Sequence, residues 1–272
     1  EYIEFPYIDE IDKSILERTK CVFVDPGKKD LMSMIDDEGN RFTYSNKQRV
    51  KETKRLKYQQ LIKNLKDILG ICEIENALSA YNSKTCDVKK FNKYIEEKNK
   101  VNDKLFKLYE NKKFRQYKWY AYINKKRTED KMINLIKKKF GKNLNIVYGD
   151  WGVTKQMRNF ISTPNLGVKR KLKETFNVFN IDEYRTSCLH YKTEEKGNNL
   201  YITDKINKQR KLHSVLTFQM ETTENESNNR IDCINRDYNG CMNIRKIFLF
   251  YMKNETRPER YCRGFDYQKL PI

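Results

Sequence analysis

The chain has 272 residues, with 56 Lys and Arg against 37 Asp and Glu and a formal net charge of +19. Such a basic protein implies a polyanionic partner, nucleic acid before all others, although an A+T-rich genome would account for part of the lysine and asparagine excess. No run of about 18 apolar residues exists to span a bilayer, which disfavours a membrane partner; seven scattered cysteines, an odd number, exclude a secreted disulfide framework and point to a reducing, intracellular compartment.

Residues 1–20 are mixed and acidic and read as the tail of a preceding domain. The chain opens at Glu1 with neither an initiator Met nor a signal peptide, and is expected to be a piece of a longer protein. Cys21-Val22-Phe23-Val24 is apolar throughout, as a strand buried on both faces should be, and it delivers Asp25 at its end. The alternating stretch 30–36, the turn Asp37-Glu38-Gly39-Asn40 and the run 41–45 complete a three-stranded meander. Residues 46–140 contain no Pro and almost no Gly, and their apolar residues recur at helical spacing. Three stretches are expected there, with breaks at Asn82 to Asp87 and near Trp119. Residues 145–148 form a further buried strand leading into Gly149-Asp150, 168–176 a helix and 176–181 another strand, which feeds Asp182-Glu183. The polar stretch 193–230 is expected to hold a hairpin around Lys211 to Gln219 and a soft segment from Glu221 to Asn229. A final amphipathic helix covers 239–252, entered through Asn235-Arg236-Asp237, and the tail around Arg257-Pro258-Glu259-Arg260 reads as irregular.

Carboxylates therefore stand at four element ends: Asp25, Asp150, Glu183 and Asp237. Two-metal hydrolysis of a phosphodiester needs three or four carboxylates gathered around ions about 3.5–4 Å apart. Magnesium, a hard ion that keeps some of its waters, needs few protein ligands. Any one of these acids taken singly is more simply a strand-end or capping residue, and Asp237 in particular could cap the helix that follows it.

Four motifs occur in order: Val24-Asp25-Pro26-Gly27-Lys28-Lys29-Asp30-Leu31, Phe42-Thr43-Tyr44-Ser45-Asn46-Lys47-Gln48-Arg49, Asp182-Glu183-Tyr184-Arg185-Thr186-Ser187, and Asn235-Arg236-Asp237-Tyr238-Asn239-Gly240-Cys241-Met242-Asn243-Ile244. Together, from about residue 20 to the end, they resemble the RuvC nuclease domain of the Fanzor proteins, the eukaryotic and giant-virus relatives of the transposon-encoded TnpB nucleases. The resemblance implies an α/β, RNase H-like (RuvC) mixed sheet with a long helical insertion and a degenerate zinc-ribbon-like insertion. Its parts would be a tail at 1–20, a first core part at 21–192 with helical insertion 46–140, an insertion at 193–232, and a second core part and tail at 233–272. It implies RNA-guided DNA cleavage that depends on magnesium, two ions being expected, with DNA and, in the full-length protein, a guide RNA as partners. The location implied is the nucleus, or a viral factory in the cytoplasm. Asp25 matches the family's first catalytic aspartate and Asp237 its last.

The sequence departs from that pattern twice. TnpB-like proteins place a glutamate directly after the fourth strand, where this chain has Gly149; Glu183 is the candidate for a displaced middle acid, with Asp150 as its alternative. Where the family closes a zinc site with two Cys-x-x-Cys pairs, this chain offers Cys188, His190, His213 and Cys233, with Phe218 where a cysteine would stand. A degenerate, metal-free insertion is the expected result. Arg49, Lys54, Arg55, Lys155, Arg158, Lys169, Arg170 and Arg236 are candidate phosphate contacts. The aromatic and basic residues interleaved from Phe114 to Tyr122 suit either a helix core face or stacking on bases, the core being the commoner use. Set against the nuclease reading is a catalytically inactive nucleic-acid-binding remnant of a TnpB-like mobile-element protein, and behind it a basic protein that only coats nucleic acid.

Overall fold

The alternation hidden in the apolar runs becomes visible once each strand has two covered faces. The computed structural model describes residues 4–150, 163–204, 207–219 and 231–264. Five strands, β1 (Cys21–Asp25), β2 (Asp30–Asp36), β3 (Arg41–Ser45), β4 (Asn145–Gly149) and β5 (Asn177–Ile181), form one sheet in the order β3-β2-β1-β4-β5. β1 runs antiparallel to β2 and parallel to β4, and β4 is parallel to β5, so the sheet is mixed. Val22, Val24, Ile146, Tyr148 and Val178 face one way, onto Met132, Ile133 and Ile136 near the end of helix α6 (Lys112–Phe140) and onto Val168 and Leu172 of α7 (Asn165–Lys173). Cys21, Phe23, Val147, Phe179 and Ile181 face the other way, onto Leu16 of α1 (Lys13–Glu17) and onto Ile244, Ile247 and Phe248 of α8 (Arg236–Asn254). Val22, Phe23, Val24, Ile146 and Val147 have no exposed surface, and each fully buried side chain of this size contributes about 1.5–3 kcal/mol against chain entropy.

The same period of two fixes what happens at the strand ends. Asp25 continues the Cys21–Phe23 series and Gly149 the Val147 series, so both lie on the α8 side of the sheet. Asp36, at the opposite end of β2, is buried and held by Lys20 and by the backbone and side chain of Asn40. It closes the turn that the sequence placed at 37–40. Residues 5–17 are part of this unit rather than the tail of a preceding element. Tyr7 bridges to Asn180 in parallel fashion, and Phe5, Ile8 and Leu16 are buried.

A second sheet follows in the order β6-β7-β8, from β6 (Asn198–Thr203), β7 (Gln209–Gln219) and β8 (Ile231–Asn235), all antiparallel. The stretch Lys211 to Gln219, expected to fold as a hairpin, is instead part of one long strand with a bulge opposite Asn199 and Leu200. The reversal lies between Thr203 and Gln209. The segment Glu221 to Asn229 lies outside the described residues. The tail is not wholly irregular, since Glu259–Tyr261 forms a turn of 3-10 helix that buries Tyr261.

Residues 47–131 form a separate helical unit: α2 (Asn46–Glu52, which begins one residue earlier), α3 (Arg55–Ile68), α4 (Ile71–Asn76), α5 (Val88–Tyr109) and most of α6. Its small core gathers Leu65, Ile71 and Phe114 with Ile62, Leu105, Leu108, Tyr109 and Tyr117. Asp87 caps α5 by accepting from the N–H groups of Lys89 and Lys90, which explains the break expected there. The second break falls at Glu110 and Asn111 rather than near Trp119, because the Asn111 side chain accepts from Lys113 N–H and starts a new helix. Among the described residues, no helix is long and apolar enough to cross a membrane.

Candidate functional site

The motif around Asp237 works as a helix start. Asn235 is the cap, its side-chain oxygen accepting from Tyr238 N–H at 2.9 Å, so Asp237 is not needed for that purpose. Further along the buried face of α8, Asn239 and Asn243 stand one turn apart. Both donate to the Leu189 carbonyl at 2.7 Å, and Asn243 also donates to the Thr186 carbonyl at 2.7 Å. Tyr261 in turn donates to the Asn243 side-chain oxygen at 2.6 Å. The loop that carries Glu183 is thereby tied to the helix that carries Asp237. Asn243→Ala would leave the buried Tyr261 hydroxyl without this acceptor and the Thr186 carbonyl with only the longer 3.4 Å contact from Asn239, while the Leu189 carbonyl keeps Asn239. It is expected to destabilise the chain by about 1–3 kcal/mol, read from urea unfolding midpoints at unchanged m.

Asp25 is half-buried against this helix. A Cβ placed on Gly240 would lie 2.5 Å from Asp25 Oδ2, so the carboxylate rests directly on the α8 backbone. Its pKa is held well above the ordinary aspartate range, by burial first and then by the charges of Glu183 and Asp237; Arg236 opposes the shift. Asp237 is also raised, by burial and then by the neighbouring carboxyl of Asp30, while Arg236 and Lys29 pull the other way. Arg236 also donates to Ser187 Oγ at 3.1 Å, so one guanidinium links the loop after Glu183 to the acids.

Glu183 fills the place left by a glycine. A Cβ on Gly149 would lie 2.6 Å from Glu183 Oε2, 2.9 Å from Pro26 Cδ and 3.5 Å from Ile244 Cδ1. The carboxylate thus occupies the space that a side chain at position 149 would need, beside the residue that follows Asp25. Asp150, the alternative middle acid, is otherwise engaged: Tyr7 donates its hydroxyl to Oδ2 at 3.2 Å, and the Glu183 N–H approaches Oδ1 at 3.4 Å. Asp150 therefore steadies the backbone of Glu183. Tyr148, just before the glycine, has a buried hydroxyl with no hydrogen-bond partner; its pKa is raised by burial and by the charges of Glu183 and Asp25.

Two acids lie close to this centre without having been singled out in the sequence, Asp30 at the start of β2 and Asp182 beside Glu183. Asp182 is bound by Arg263 at 3.0 Å and so serves the tail, whereas Asp30 meets Asp237. The only local signal for Asp30 was its place on a strand edge.

Among the described residues, no group of three or more His, Cys, Asp or Glu side chains converges as a ready cage for a metal ion. The acids nevertheless suit a hard divalent cation in kind. A half-buried Asp25 with two like-charged neighbours is the kind of carboxylate for which such an ion would supply the counter-charge. The four residues considered for zinc are spread through the insertion. Cys188, His213 and Cys233 are exposed, while His190 is buried against the Phe218 ring with its Nδ1 3.2 Å from Thr193 Oγ1. Phe218 packs over Gly197, where a Cβ would meet its ring at 2.4 Å, so an aromatic cluster organises this segment.

The basic candidates divide as well. Lys169 is 8% exposed, bonded to the Asn180 side chain and set over the rings of Phe5 and Tyr148, and burial brings its pKa down to about 8. Its neighbours Val168 and Leu172 place it on the covered stripe of α7, which corrects its reading as a phosphate contact. Arg170 is exposed but forks onto Glu4 at 2.6 and 3.0 Å. Lys54 and Arg55 are exposed in the helical unit, Arg49 is half-buried there, and Lys155 and Arg158 lie outside the described residues.

No protein-family model matches the chain, and no curated protein does. Among solved structures it is similar to a protein chain in a cryo-EM structure of a Cas12f1–sgRNA–target DNA complex, with a TM-score of 0.36 and 14% identity over 88% of this chain and 40% of that one. The chain thus spans about two-fifths of that protein's length, and so distant a likeness adds nothing to the geometry of the acids.

Proposed function

We propose that this chain is the nuclease portion of a transposon-associated, RNA-guided DNA endonuclease of the Fanzor/TnpB-like type, with an RNase H-like (RuvC) core that hydrolyses DNA phosphodiesters with magnesium. The observation that carries the reading is the convergence of acids from distant parts of the sequence: Asp25 rests on Gly240, three residues beyond Asp237 on α8, Glu183 Oε2 fills the space above Gly149 on the neighbouring strand, and the charges of Glu183 and Asp237 both raise the pKa of Asp25. The sheet order β3-β2-β1-β4-β5, with Asp25 at the end of its central strand, supports the core assignment. The four motifs in order support the family.

Asp25, Glu183 and Asp237 would hold magnesium, which when bound would supply Lewis-acid stabilisation of the phosphate and a water of lowered pKa. The chain's own part is to hold the acids close together and aimed, although their mutual repulsion opposes the charged forms of Asp25 and Asp237. The Gly240 backbone seats Asp25, the space above Gly149 seats Glu183, and Asn239 and Asn243 hold the loop behind it. Arg236 is placed to moderate the negative charge of the group while the site is empty of substrate.

A second reading, the inactive remnant, is favoured by the lack of a ready cage among the described residues and by the nearness of Asp30 to Asp237. Labelled single-stranded DNA incubated with the chain in magnesium decides between them. The nuclease reading expects cleavage that EDTA stops and that Asp25→Ala and Glu183→Ala each reduce to background. Binding without cleavage in the parent chain establishes the remnant, and equal cleavage by parent and Asp25→Ala ends the assignment.

A further inference from the structure

Helix α6 carries two opposite faces in the helical unit. Phe114 and Tyr117 turn inward to Leu65 and Ile71, so the core reading of the interleaved aromatics holds for these two. Trp119 and Tyr122 do not join them. They are 58% and 51% exposed, and their rings stack on each other at 5.7 Å with an interplanar angle of 23°. At 100° per residue, Lys112, Arg115, Trp119, Tyr122 and Lys126 fall within an arc of about 80° on the side away from Phe114 and Tyr117, along roughly 21 Å of helix. The Lys126 amine lies 5.9 Å from the Tyr122 ring centroid. From Lys112 to Thr128 the sequence has seven basic residues and no acid.

Scattered exposed aromatics need no explanation, but a stacked pair set in a row of cations does. The occupant it fits must be anionic, must offer flat π faces, and must be linear on the scale of several residues. An apolar protein partner would call for aliphatic side chains in place of the flanking lysines, and a duplex keeps its bases stacked inside. Bases free to continue an aromatic stack, with phosphates at regular intervals beside them, occur in single strands.

We propose that the Arg115–Trp119–Tyr122–Lys126 face of α6 is a stacking platform for single-stranded DNA. The choice of DNA over RNA rests on the nuclease reading above, whereas binding at this face does not require cleavage.

The chain has two tryptophans, Trp119 and Trp151, so a Trp151→Phe variant of the full chain makes Trp119 the sole reporter. Titration with an oligo(dT) strand should quench its fluorescence. Replacing Trp119 and Tyr122 together by Ala in the parent chain should weaken strand binding, followed by anisotropy of a labelled oligonucleotide, by about tenfold or more, with Trp119→Phe retaining most of the affinity. Unchanged affinity in the double variant overturns the proposal, as does quenching by a duplex of equal length at the same concentration. Quenching by poly-glutamate but not by oligo(dT) would assign the face to an acidic protein. Loss of a dimer on substituting Trp119, seen by sedimentation, would assign it to a second copy, and tenfold tighter binding of the matching RNA would overturn the choice of DNA. Because all of these are binding measurements in EDTA, a chain that stacks DNA but never cleaves it sinks only the nuclease reading. One that cleaves normally without Trp119 and Tyr122, and binds as tightly, sinks only the platform.

Discussion

Asp25→Asn is expected to reduce magnesium-dependent DNA cleavage to background while making the metal-free chain more stable. The two effects have one cause. Asp25 is a half-buried carboxyl whose charged form is opposed by partial loss of solvent and by Glu183 and Asp237, with only Arg236 in its favour. A charge partly withdrawn from water and set beside two like charges is costly even after the protein relaxes, so an uncharged isostere that keeps the shape against Gly240 should gain about 2 kcal/mol near neutral pH. In a domain of this size that corresponds to a rise in Tm of about 4–8 °C. The sign with pH follows from proton binding. Because the folded pKa is raised above the ordinary value of 3.8, the native state binds more protons than the unfolded chain between those two values. Stability therefore falls as pH rises through that window and stays low above it. Melting in EDTA at pH 5 and pH 8 should show the gain of Asp25→Asn growing with pH. Magnesium should then raise the Tm of the parent at pH 8 and leave the variant's unchanged. A variant no more stable than the parent at pH 8 would remove the buried-anion account, whatever its activity.

What the sequence made legible was what local rules decide. The run 21–24 has no polar interruption, Gly39 marks a turn, and Asp87 is a helix cap of the preferred type, so the meander and the first helical break could be placed to within a residue or two. Asn111 is also a helix cap, but it lies amid lysines and lacks the apolar change that marks Asp87, so the sequence points to a second break near Trp119, eight residues beyond where it falls. The strand β7 reads as a hairpin in the sequence because its register slip opposite Asn199 and Leu200 interrupts the alternation that an unbroken strand would show. Asp25 and Asp237 could be singled out because strand and helix ends are visible in sequence. The contact of Asp30 with Asp237, the burial of Lys169 and the occupation of Asp150 by Tyr7 depend on which elements meet in space, and no period along the chain encodes them.

Gly149 gives the sharpest test of the displaced glutamate. This glycine is outside the left-handed region that would by itself demand glycine, so its backbone tolerates a side chain, and only space forbids one. The space is filled mainly by Glu183 Oε2 at 2.6 Å, then by Pro26 Cδ at 2.9 Å. Gly149→Ala should therefore push the Glu183 carboxylate out of line. A misplacement of about 1 Å in a catalytic group costs on the order of 10²-fold in rate, and overpacking at a tight site costs about 1–3 kcal/mol in stability. In a Glu183→Ala background the first of those contacts no longer exists. Adding Gly149→Ala there should cost less, by a coupling of about 0.5 kcal/mol or more in a double-mutant cycle from urea unfolding, because Pro26 alone must yield. If Gly149→Ala costs the same in both backgrounds, the Glu183 carboxylate does not occupy the place of a side chain at 149, and the middle acid of the nuclease reading loses its structural basis. If the costs differ and cleavage falls with them, the glycine and the displaced glutamate act as one unit.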